Sequence, residues 1–163
     1  MSNVRLARIG FALLAWVFVA LTVVQVYLAG AAIVQLHGNG EFGTHQAVGW
    51  VIGIIALVQL ALSFAGRLSG RMIGASALLV GLMVAQILLA HADTSALAAL
   101  HPVNGFLVAI LGIWIAWHGL SFIRAPLPPE PVPATPAVAA APTAAPAAQA
   151  EPIDRLKEDD PEH

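Results

Sequence analysis

Residues 9–36 read IGFALLAWVFVALTVVQVYLAGAAIVQL, a run without one Asp, Glu, Lys or Arg. Its length exceeds the roughly 20 residues that a helix rising about 1.5 Å per residue needs to cross about 30 Å of hydrocarbon. Three further apolar runs follow, at about 45–65, 72–90 and 102–123. Only a helix satisfies its own backbone hydrogen bonds within a single segment in lipid. The sequence therefore predicts an all-α integral membrane four-helix bundle over residues 1–124. A composition of 59% hydrophobic and 10% charged residues excludes an ordinary soluble domain of 163 residues. The lipid bilayer is thus the expected environment, and nucleic acid is not an expected partner.

The basic residues orient the bundle. Arg5 and Arg8 precede the first span, Arg67 and Arg71 lie between the second and third, and Arg124, Arg155 and Lys157 follow the fourth. The positive-inside rule then predicts both termini in the cytoplasm, as in a multi-pass protein of a bacterial inner membrane. The N-terminal stretch lacks the short apolar core and small-residue cleavage site of a secretory signal, so the first span is expected to be retained. From residue 125 to 163 the composition changes: ten of the eleven prolines, alanine filler and the acidic ending Glu158-Asp-Asp-Pro-Glu-His163. Such a segment buries too little apolar surface to fold, and is predicted to be a disordered cytoplasmic tail.

The opposite face of the bundle carries histidine. His37 follows the first span, His45 opens the second, His91 follows the third and His101 opens the fourth. There is no cysteine, so disulfides and thiolate sites are excluded and metal chemistry falls to imidazole or oxygen. Two of these histidines belong to a repeat. Gln25-Val-Tyr-Leu-Ala29 with His45-Gln-Ala-Val-Gly49-Trp50 recurs as Gln86-Ile-Leu-Leu-Ala90 with His101-Pro-Val-Asn-Gly105-Phe106. The bundle thus reads as two repeated helix pairs.

The repeat has physical content. Counted from Arg8 and Arg71, Gln25 and Gln86 rise about 25 and 22 Å, which puts them at nearly one depth. An amide in hydrocarbon is costly unless bonded, so both are expected to face the interior. Below each histidine, at i+4 and i+8, lies a strip of small residues, Gly49 and Gly53 under His45 and Gly105 and Ala109 under His101. Such strips admit either a neighbouring helix or a planar macrocycle. At helix N-termini the dipole disfavours imidazolium, which leaves His45 and His101 with a lone pair for a metal. His37 and His91 stand at C-terminal ends, where the cation is favoured; His91 suits pairing with an anionic group such as a haem propionate. Two neutral imidazoles facing each other across a bundle can hold a six-coordinate haem. Glu41 and Asp93 are loop carboxylates beside this face, Gln59 reads as packing glue, and His118 as an interfacial residue beside Trp117.

The Gln-xx-Leu-[Ala/Gly] helix, outer loop and histidine-opened helix, occurring twice, resemble one four-helix half of the haem A synthase family. The chain is also similar to small uncharacterised four-helix bacterial membrane proteins with His-Pro-x-Asn at the start of the last helix, here His101-Pro-Val-Asn104. The resemblance covers about residues 25–117 and implies haem ligation at His45 and His101. This chain departs from haem A synthase in its half complement of helices, the absence of an outer-loop cysteine pair, Gln46 after the histidine and the spacing of Glu41.

The expected function is a small cytochrome b-like protein with one haem b near the outer face. His45 and His101 are its ligands, with Gly49, Gly105, Gln25, Gln86 and His91 around it. Electron transfer, redox sensing and haem handling are the roles this implies, with a quinone, a redox protein or a second copy of the chain as candidate partners. Two alternatives stay open: a non-catalytic accessory subunit whose tail recruits a partner, and an outward-facing Zn or Cu site built from three or four of His37, His45, His91 and His101.

Overall fold

The computed structural model describes residues 2–34 and 42–126. His37, Glu41 and the tail from residue 127 lie outside the described residues. The elements are α1 (Asn3–Ile33), α2 (Gly43–Ala65), α3 (Gly70–Ala90), the single turn α4 (Ser95–Ala98) and α5 (Leu100–Arg124). Among the described residues, four helices are long and apolar enough to cross a membrane, α4 and α5 together forming the last of them. The protein is an all-α, multi-pass membrane bundle. Each of α1 and α3 packs against both α2 and α5, so α1/α3 and α2/α5 are the two diagonals.

Local chemistry sets the helix ends. Ser2 and Ser69 cap α1 and α3 by accepting from the backbone N–H of Arg5 and Met72, both at 3.4 Å. The turn between α2 and α3 satisfies the last carbonyls of α2 through two reverse bonds. Leu68 N donates to Ser63 O at 3.0 Å and Arg67 N to Phe64 O at 2.9 Å. The left-handed residue that this motif needs is Arg67, at φ 49°, and not the glycine beside it. Gly66 is required for another reason: a Cβ there would lie 3.0 Å from Leu62 O and 3.2 Å from Cγ of Arg8.

Arg8 departs furthest from its sequence reading as a flanking charge. It lies within α1 and is only 3% exposed. Its Nε donates to Gly66 O at 2.9 Å, and Nη1 points at the carbonyls of Phe122, Ala125 and Pro126 at 3.3, 3.0 and 3.3 Å. The guanidinium therefore sits at the negative ends of two helix dipoles, α2 and α5. Above it, Phe11 and Phe18 of α1 are fully buried. Their rings seat on Gly119 and Gly112 of α5, where an added Cβ would come within 3.2 and 2.8 Å of Cε1 of each ring respectively. Small residues admit the aromatic rings, as expected where no water drives helix association.

Two neighbouring glycine-related substitutions should act in opposite directions. Gly66→Ala crowds Leu62 O and Cγ of Arg8 and should lower stability by about 1–3 kcal/mol, the usual cost of overpacking. Arg67→Gly relieves a left-handed non-glycine and should raise it by about 1 kcal/mol. Thermal unfolding of the purified variants in one detergent measures both; a loss at Arg67→Gly would contradict the turn assignment.

Candidate functional site

At the end of the bundle away from the arginines, glutamine and histidine alternate from helix to helix: Gln25 on α1, His45 on α2, Gln86 on α3 and His101 on α5. The two imidazole rings project from the α2/α5 diagonal and meet with centroids 6.2 Å apart and planes inclined at 60°. Each ring is held the same way. His45 Nδ1 lies 3.2 Å from the carbonyl oxygen of Gln25, and His101 Nδ1 lies 3.0 Å from that of Gln86. A carbonyl only accepts, so Nδ1 carries the proton in both rings. In the neutral imidazole the lone pair then resides on Nε2.

The glutamine side chains lie against the upper glycine of each strip, while nothing lies within 4 Å of a Cβ placed on Gly53. A Cβ added at Gly49 would lie 3.0 Å from Nε2 of Gln25, and one at Gly105 3.2 Å from Nε2 of Gln86. Sequence spacing offered the strips to a helix or a macrocycle; here each glycine makes room for an amide from the adjacent helix. The two backbone–histidine bonds and the two glycine–glutamine contacts repeat the sequence motif in space.

The hydrogen bonding of the two halves parts at Asn104. Asn104, 8% exposed, donates to Leu82 O at 2.9 Å and to Oε1 of Gln86 at 2.5 Å. With its oxygen so engaged, Gln86 turns its amide nitrogen to Nε2 of His101, 3.1 Å away, and donates to that lone pair. The equivalent of Asn104 in the first half is Val48, which has no donor. Correspondingly, Oε1 of Gln25 is buried without a hydrogen-bond partner. Asn104 entered the sequence reading only as part of a motif. Setting His45-Gln-Ala-Val48 against His101-Pro-Val-Asn104 was the available signal for its role.

A cavity of about 820 Å³ opens beside the two rings, with His45, His101, Gln25, Gln86, Gly49 and Gly105 among its walls. Its remaining lining is largely apolar, including Ile52, Met83 and Val108. This volume falls within the range of about 300–1,000 Å³ typical of sites for organic ligands and cofactors. His91 also lines it, but the residue is exposed and its Nδ1–H donates to Ile87 O of its own helix at 2.9 Å. Among the described residues, no three His, Cys, Asp or Glu side chains gather as a metal site. The three- or four-histidine arrangement is thus not assembled there, and His37 lies outside the described residues. His118 is exposed on α5 and stacks on Trp114 at 4.3 Å.

Residues 25–96 match a family of unknown function, DUF6220. The matched stretch begins at Gln25, contains His45 and Gln86, and ends before His101. No curated protein and no solved structure matches the chain.

The asymmetry between the halves can be measured by exchanging their residues. Asn104→Val leaves Oε1 of Gln86 without its donor and should cost about 1–3 kcal/mol, the penalty for an orphaned buried polar group. Val48→Asn offers Gln25 the donor it lacks and should gain about 1 kcal/mol. Thermal unfolding of the two single variants and the double exchange tests the pairing; equal losses in both single variants would refute it.

Proposed function

We propose that the bundle is a small b-type haem protein, with one haem held at the histidine end between His45 of α2 and His101 of α5. The observation that carries this reading is the pair of rings 6.2 Å apart, both with Nδ1 anchored on backbone carbonyls. Two imidazoles on opposite sides of one metal, each with a metal–nitrogen bond of about 2 Å, hold their ring centres about 6 Å apart. Carbonyl anchoring of the distal nitrogen is the usual device for fixing the tautomer of a metal-binding histidine and raising its basicity. The volume and largely apolar lining of the adjoining cavity support an organic ligand rather than a bare ion.

The residues have distinct parts in this scheme. His45 and His101 present their Nε2 lone pairs from one depth. Gln25 and Gln86 fix the ring orientations through their carbonyls, and Gln86 must give up its amide bond to His101 before that lone pair can serve. Bound haem would supply reversible one-electron exchange, which suits electron transfer, redox sensing or haem handling, with a quinone or a redox protein as partner. Arg5, Arg8, Arg67, Arg71 and Arg124 all lie at the opposite end, so the positive-inside rule supports cytoplasmic termini and an outward-facing site in a bacterial inner membrane.

Protein purified from haem-replete cells should be red, and reduction with dithionite should give the sharp split bands of six-coordinate haem. The double variant His45→Ala, His101→Ala should lose the chromophore while keeping its helical circular dichroism. A colourless wild-type protein, or full haem content in the double variant, overturns the proposal.

A further inference from the structure

The arginine end of the bundle carries a second cavity. Here the start of α1 and the end of α5 lie side by side, and they frame a cavity of about 260 Å³ walled by Arg5, Arg8, Ile123, Arg124, Ala125 and Pro126. Half of that wall is guanidinium-bearing. Arg8 is buried and fixed by its bonds to backbone carbonyls, whereas Arg5 and Arg124 are exposed, one in the first turns of α1 and the other ending α5. Among the described residues the sole carboxylate is Asp93, which follows α3 at the opposite end. The cluster therefore meets no carboxylate within the described bundle.

We infer that this cavity binds the phosphate of an anionic phospholipid headgroup. A guanidinium fork matches phosphate oxygens in bidentate geometry, which makes arginine the residue suited to such a group. The N-terminal end of α1 adds its positive dipole. At the opposing end of α5, Arg8 covers the carbonyl of Phe122 and that of Ala125 just beyond the helix, which lessens their repulsion of an anion. A volume several times the roughly 30 Å³ of one water accommodates a phosphate with its glycerol link. Free phosphate shares this chemistry, but the surroundings favour a lipid. Leu6, next to Arg5, and Leu120, one turn before Arg124, are exposed apolar side chains on membrane-spanning helices. Basic pockets between spans at the cytoplasmic boundary are suited to acidic headgroups.

The test uses the full chain in nanodiscs, with lipid retention read by native mass spectrometry. Wild-type protein should retain phosphatidylglycerol in preference to phosphatidylcholine. The variant Arg5→Gln, Arg124→Gln, in which both changes are at exposed positions, should retain phosphatidylglycerol at least about tenfold less while phosphatidylcholine stays unchanged. Equal retention of the two lipids by wild type, or undiminished phosphatidylglycerol in the variant, overturns the inference. Inorganic phosphate displacing the lipid at millimolar concentration would identify a free-anion site and overturn the lipid assignment. A second arm of the test addresses the acidic tail as an alternative ligand. If phosphatidylglycerol binds only after Asp159→Asn, Asp160→Asn and Glu162→Gln, the tail is the resident ligand and the lipid assignment fails; unchanged binding upholds it.

Discussion

The arrangement depends on one buried cation. Arg8 would be costly in the interior of a membrane bundle without hydrogen-bond acceptors, and it finds them in the terminal carbonyls of α2 and α5. In doing so it ties the two diagonal helices to α1 at a common level. Gly66 lies 21 residues after His45, and Phe122 lies 21 residues after His101. Two straight helices of equal length from one fixed level bring their first turns to the same height, about 32 Å away. The register of the histidine pair is therefore set from the far end of the bundle, through Arg8 and the close approach that Gly66 permits.

Equal depth alone would not make the rings converge. Their orientation comes from the carbonyls of Gln25 and Gln86, contributed by the other diagonal, so all four spans take part in fixing two imidazoles. The interior between the two ends is filled by buried side chains such as Phe11, Phe18, Leu79 and Ile115. Gln59 adds a polar group there; it is 1% exposed and its Oε1 has no hydrogen-bond partner, so polar packing in this layer is incomplete.

The spans were legible in the sequence because hydrocarbon imposes a length and a composition that few other settings demand. The His45/His101 pair was legible because a repeat doubles the information in a single histidine. Packing was not. Periodicity gives the face of a helix on which a residue sits, but not which neighbour meets that face. Gly49 and Gly105 thus read as open strips, although each receives a glutamine amide, and nothing in the spacing of Phe11 and Phe18 named Gly119 and Gly112 as their seats. Arg8 read as a flanking charge because its acceptors are backbone atoms distant in the chain. The left-handed position after α2 went to Arg67 and not to the adjacent Gly66. There the bonds of Leu68 and Arg67 to the end of α2 hold a conformation that local preference alone would give to glycine.

A duplicated sequence does not oblige the two halves to remain equal, and Asn104 and Val48 show where they part. The second half has a continuous set of bonds from Leu82 and Asn104 through Gln86 to His101. The first has the same histidine anchor but leaves the glutamine oxygen unpaired. In a low-dielectric interior a complete network holds its members firmly, whereas an incomplete one carries a desolvation cost that a new partner can relieve. His101 is thus the more restrained ring, its lone pair already engaged by Gln86. A ligand entering the cavity meets two chemically identical side chains with different prior commitments, and that inequality follows from one residue three positions along each helix.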